Sequence, residues 1–125
     1  MMESHWSELL AVLGARIDPQ TGWIEGFGPY EDEAAWAQTK TVIAPLSHCA
    51  LIHVTGEDAV DFLDRQTSVS VGKLQPDSAS PFAWCAPNGS ILANGWLWKN
   101  EGGCSLVIRK DIAELFITRI GAFIL

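Results

Sequence analysis

The sequence predicts an α+β domain, an antiparallel sheet with helices packed on one of its faces. Three observations carry this. Short apolar runs at 49–55 ("CALIHVT"), 81–86 ("PFAWCA"), 90–98 ("SILANGWLW") and 104–109 ("CSLVIR") are strand-length, and the last three are joined by turn residues. Two stretches, 57–66 and 111–120, repeat apolar residues at helical spacing instead. The order strand, helix, strands, helix is that of a sheet whose helices lie on one side.

The elements follow in order. Residues 4–15 read as a helix, with Trp6, Leu9, Leu10 and Leu13 on one face, Ser4 as its cap and Gly14 with "DPQTG" as its end. "WIEGFGP" (23–29) is a short extended piece broken by glycines. Residues 30–40 form a second helix with acids in its first turn, where the helix dipole favours them. Thr55-Gly56-Glu57-Asp58 resembles a capping box that opens the 57–66 helix, with Ala59, Phe62, Leu63 and Gln66 on one face. "SVSV" (68–71) returns to extended form, and Asn88-Gly89 is a hairpin turn. The helix at 110–121 buries Ile112, Leu115, Phe116 and Ile120, and "AFIL" (122–125) begins another strand. The whole is one domain, 1–125, with a helical segment at 1–43 and the sheet with its helices at 44–125. A chain ending on four apolar residues is expected to be a fragment of a longer protein. The exposed strand edge it would leave predicts a homo-oligomer, unless missing C-terminal domains cover it.

Composition narrows the function. The chain has 125 residues, 48% hydrophobic and 18% charged, with a net charge of −7. A nucleic-acid binder draws its affinity from neutralising phosphates, so this acidic chain is not expected to bind DNA or RNA directly. An anionic membrane surface is disfavoured for the same reason, and no apolar run is long enough to span a bilayer. Cys49, Cys85 and Cys104 fit no metal or redox spacing and suggest reduced thiols in the cytoplasm.

Chemistry is sparse. Cys49 and His53 share a strand face but stand roughly 13 Å apart, too far for one metal. Cys85 lacks a neighbouring base, and the acids sit at helix starts and on outer faces. No phosphate-cradling glycine motif occurs. No catalytic residue and no metal ligand is assigned. Asn94-Gly95 stands out, a polar amide and a bare backbone inside an apolar strand. It is either a second turn or bulge, or a place where a ligand approaches Gly95 while Asn94 offers donor and acceptor.

The stretches "APLSHCALIHVTGEDAVDFLDRQTSVSVGKL" (44–74) and "AWCAPNGSILANGWLW" (83–98) resemble the YgfZ-type folate-binding proteins, relatives of the glycine-cleavage T-protein, an aminomethyltransferase. The resemblance implies the first half of a folate-binding domain, with tetrahydrofolate as ligand and no metal. It implies a role in assembly or repair of iron–sulfur enzymes, including tRNA-modifying ones. Where the T-protein carries an acid near the folate, this chain has Ala93-Asn94. An amide orients a ligand but cannot shuttle a proton or stabilise a cation as a carboxylate does. The candidate ligand-binding set is Asn94, Gly95, Trp96, Trp84 and Gln66, non-catalytic by itself. The alternatives are a divergent tetrahydrofolate-dependent aminomethyltransferase segment and an assembly module without a ligand. The family's Asn and Asp after the first helix are Val69 and Ser70 here.

Overall fold

The computed structural model describes residues 2–124, with side chains from His5 onward. The chain forms two compact units, one up to His48 and one from Cys49.

In the first unit, helix α1 (Met2–Val12) ends where Gly14 adopts a φ of 77°. The Ala15 N–H donates to the Leu10 carbonyl (2.9 Å) and the Gly14 N–H to that of Ala11 (3.0 Å), a Schellman closure that needs the left-handed residue. Ser4 lies inside this helix, so it is not the cap. Of the predicted apolar face only Leu10 is buried, because so small a unit has little interior to offer. The "DPQTG" loop is a tight turn between two short antiparallel strands, β1 (Arg16–Ile17) and β2 (Ile24–Gly26). Asp18 organises it: its carboxylate accepts from the Gln20 N–H (2.9 Å) and the Thr21 hydroxyl (2.7 Å). These bonds, the Gln20 N–H foremost, hold the Asp18 carboxyl below the ordinary carboxylate range. Helix α2 (Tyr30–Thr39) follows, with Glu31, Asp32 and Glu33 in its first turn.

The second unit holds a four-stranded antiparallel sheet, β3 (Cys49–Thr55), β4 (Ala79–Cys85), β5 (Ile91–Asn100) and β6 (Gly103–Arg109), in the order β3-β6-β5-β4. Strand β5 runs unbroken through Asn94-Gly95, so no second turn forms there. The Asn88-Gly89 turn does form, with Gly89 at φ 85° and the Ala86 N–H donating to the Ser90 carbonyl (2.8 Å). Helices α3 (Ala59–Gln66) and α4 (Lys110–Gly121) pack on one face. There Leu63, Phe116, Leu97, Leu106 and Ile108 are fully buried, each worth about 1.5–3 kcal/mol. Phe116 sets its ring edge-on against Trp84, 5.3 Å between centroids, and tilted against Phe82 at 6.5 Å.

Three local expectations are corrected. The capping box does not form: Thr55 is still paired with Gly103 in the ladder, Asp58 makes no side-chain cap bond, and α3 starts only at Ala59. The 68–71 stretch is not a strand. Ser68 alone touches the outer edge of β4, its N–H donating to the Ala83 carbonyl (3.0 Å) and its Oγ accepting from the Ala83 N–H (2.9 Å). The chain then enters a 3-10 turn at Val71–Lys73. Finally, 122–124 form no strand, because the N–H groups of Phe123 and Ile124 close the end of α4 on the carbonyls of Ile120 and Gly121. Leu125 lies outside the described residues.

Candidate functional site: the outer face of the sheet

Strand alternation sorts the second unit into two faces. Phe82, Trp84, Ala93, Leu97, Leu106 and Ile108 face the helices and are buried. On the other face, Leu51 pairs with Val107, Val107 with Trp96, and Trp96 with Pro81, so one apolar row crosses all four strands. No helix of this unit packs over that row: Trp96 and Leu51 are 55% and 57% exposed.

Polar groups flank the row on both sides. Asn94, exposed and paired with Ala83, stands two residues along β5 from Trp96. The opposite flank is a second row in which His53 pairs with Ser105 and Ser105 with Trp98. Ser105 is only 2% exposed, yet its hydroxyl is satisfied: His53 Nδ1 lies 2.9 Å from Oγ, and the Asn100 amide reaches the same oxygen. Beyond Asn94, at the start of α4, Arg109 forms an ion pair with Asp111 at 2.6 Å. That bond holds the Asp111 carboxyl below its ordinary range and raises the Arg109 guanidinium.

The structure brings together only part of the predicted ligand set. Asn94 and Trp96 share the outer face. Trp84 is on the other face, 6% exposed and packed on Phe116, out of reach of anything bound beside Asn94. The alternation in "PFAWC" already ties Trp84 to Phe82 and away from Ala83. Gly95 is demanded by close approach, but of the protein itself: a Cβ there would lie 1.8 Å from the Val107 carbonyl oxygen. Gln66, at the end of α3, lines a cleft of about 600 Å³ on the helix side with Thr55, Asp61, Phe62, Arg65 and Phe123. Leu51, Val107, Ser105 and Asn100 lie on this face but are not among the ligand-binding residues predicted from the sequence. Their signal was the alternation in "CALIHVT" and "CSLVIR", which places Leu51 and His53 beside Val107 and Ser105 once the strands are paired.

The chemistry of this face is that of a platform. Trp96 offers a flat aromatic surface, Leu51 and Val107 extend it, and Asn94 supplies one donor pair and one acceptor. Among the described residues, no group of three or more His, Cys, Asp or Glu side chains is positioned to hold a metal ion. No helix among them is long and apolar enough to cross a membrane.

No protein-family profile matches the chain. The chain is 30% identical over 95 residues to an aminomethyltransferase of Bacillus velezensis, covering 71% of this chain and 26% of that protein. It is 27% identical over 114 residues to an aminomethyltransferase of Halalkalibacterium halodurans, covering 85% of this chain and 31% of the relative. The crystal structure of glycine cleavage system aminomethyltransferase T from Bartonella henselae superposes with a TM-score of 0.71 at 22% identity, over 92% of this chain and 33% of that one. The chain thus spans about a quarter to a third of the proteins it matches. It carries the fold of a segment of the glycine-cleavage aminomethyltransferases.

Proposed function

We propose that this chain supplies one wall of a binding site for a reduced folate, without aminomethyl transfer of its own. The observation that carries the proposal is Asn94, an exposed neutral amide beside the half-exposed Trp96 on a sheet face free of its own helices. Trp96 stacks on a flat ring, and the Asn94 amide orients it. A single wall buries only part of a ligand, so affinity is weak. Similarity to the two aminomethyltransferases supports a folate-type ligand; the amide in place of an acid supports binding over catalysis. On this proposal the protein is of the YgfZ type, acting in the cytoplasm in the upkeep of iron–sulfur enzymes. The three unpaired cysteines suit that compartment.

Trp fluorescence during a tetrahydrofolate titration tests this. Wild type is expected to show saturable quenching at up to millimolar ligand, and Asn94→Ala a several-fold weaker response. A flat wild-type titration would end the proposal.

A second reading has its own support, since both relatives named above are aminomethyltransferases. If the chain is a segment of such an enzyme, Asn94→Asp should raise tetrahydrofolate-dependent transfer from a lipoyl-bound aminomethyl group above an active wild type. Wild-type turnover would support this reading against the first; none in either protein would remove it.

A further inference from the structure

The buried hydroxyl of Ser105 determines which protonated form of His53 the outer face presents. The side-chain amide of Asn100 faces two carbonyl oxygens, Glu101 O at 3.2 Å and Gly103 O at 3.3 Å. Only its NH₂ can sit there without repulsion, so its oxygen turns to Ser105. Ser105 has one hydroxyl proton, and that proton goes to Asn100. Its Oγ is then an acceptor toward His53, whose Nδ1 at 2.9 Å must carry the hydrogen. A neutral His53 held in this way has its lone pair on Nε2. His53 is exposed, and Nε2 has no hydrogen-bond partner among the described residues.

From this chain of bonds we propose that His53 is a fixed hydrogen-bond acceptor of the outer face, taking a neutral N–H donor of the bound molecule through Nε2. The inference rests on the folate proposal for the ligand's identity and goes beyond it in naming a residue and the ligand group it selects. His53 and Trp96 stand on strands separated by β6, roughly 10 Å apart across the sheet. A ligand that meets both runs diagonally from the Leu51–Val107–Trp96 row to the His53–Ser105 row and is elongated. A reduced folate, with N–H groups on its pterin ring and along its tail, has this form. A carboxylate offered to Nε2 meets a lone pair and is rejected while the ring is neutral. The relay also gives the buried Ser105 a reason to be polar on a strand whose neighbours Cys104 and Leu106 are apolar and buried.

Two measurements on the full chain test the proposal. Long-range ¹H–¹⁵N spectra of the imidazoles above neutral pH should show His53 protonated at Nδ1. Ser105→Ala, a small change at a packed site, should shift the ring toward the Nε2-protonated form common in solution. In tetrahydrofolate titrations His53→Ala should weaken binding roughly five-fold, the loss of one neutral hydrogen bond. Asn94→Ala serves as the separate control on the platform. His53 found protonated at Nε2 in wild type would overturn the inference. So would a His53→Ala variant that binds like wild type while Asn94→Ala does not, and that result leaves the folate proposal standing. A wild type that binds no folate overturns both.

Discussion

On β5, Ala93 and Leu97 point into a packed interior, while Asn94, Trp96 and Trp98 of the same strand point the other way. The two faces of this sheet differ in what fixes their residues. On the helix-covered face each side chain is set by volume: Phe116 fits against Trp84 and Phe82, and Leu63, Leu97 and Leu106 fill the space between. On the outer face the residues are set by what they offer, an apolar row with an amide on one flank and a histidine on the other. On the folate proposal this difference separates stability from recognition, and substitutions should divide along it.

The largest contrast lies between two aromatic residues. Phe116→Ala opens a cavity in a buried cluster and should cost about 3–5 kcal/mol in denaturant unfolding. Trp96→Ala, on the outer face, should cost under about 1 kcal/mol yet remove most folate-induced change. A smaller contrast lies between adjacent residues. Gly95→Ala drives a methyl group into the Val107 carbonyl and should cost about 1–3 kcal/mol through strained β5–β6 pairing. Asn94→Ala should leave the unfolding midpoint near wild type. If Trp96→Ala destabilised as much as Phe116→Ala, the two faces would not differ as described.

The cysteines sharpen the same contrast by reactivity. Burial pushes the Cys104 thiol up, and no solvent reaches it, whereas Cys85 is exposed. Alkylation under native conditions should label Cys85 first, Cys49 more slowly, and Cys104 only on unfolding. The smallest effect is electrostatic. The Arg109 hydrogen bond lowers the Asp111 pKa in the folded state, so its stabilisation is present above the unfolded carboxylate pKa and lost as pH falls through the lower folded value. Both side chains are largely exposed, so screening keeps the effect small. Asp111→Asn should lower stability slightly at neutral pH and match wild type in strong acid, so that the acid limb is slightly flatter.

The sequence made the sheet legible because its strands alternate and its turns are punctuated by glycine. "SILANGWLW" and "CSLVIR" declare both their period and their faces, and "KDIAELFITRIG" declares a helix. Less legible were features decided by partners distant in sequence. Gly95 looked like an opening for a ligand because the residue it makes room for, Val107, is on another strand. Thr55 looked like a cap because its pairing with Gly103 is not local. Residues 122–124 looked like a strand from their apolar character, but their N–H groups close a helix end. Of the candidate site, Asn94 and Trp96 were visible as a polar break beside an aromatic. Ser105, Asn100 and the state of His53 depend on strand register and emerge only once the ladder is built.

The most direct measurement is a map of backbone and side-chain NMR shifts of the full chain during a tetrahydrofolate titration. Binding to the outer face should move Asn94, Trp96, Val107, Leu51 and His53 together, saturably, and leave Phe82, Leu63 and Phe116 in place. Shifts confined to the helix-side cleft around Phe62 and Gln66, or none at millimolar ligand, would contradict the assignment of the outer face as the binding surface.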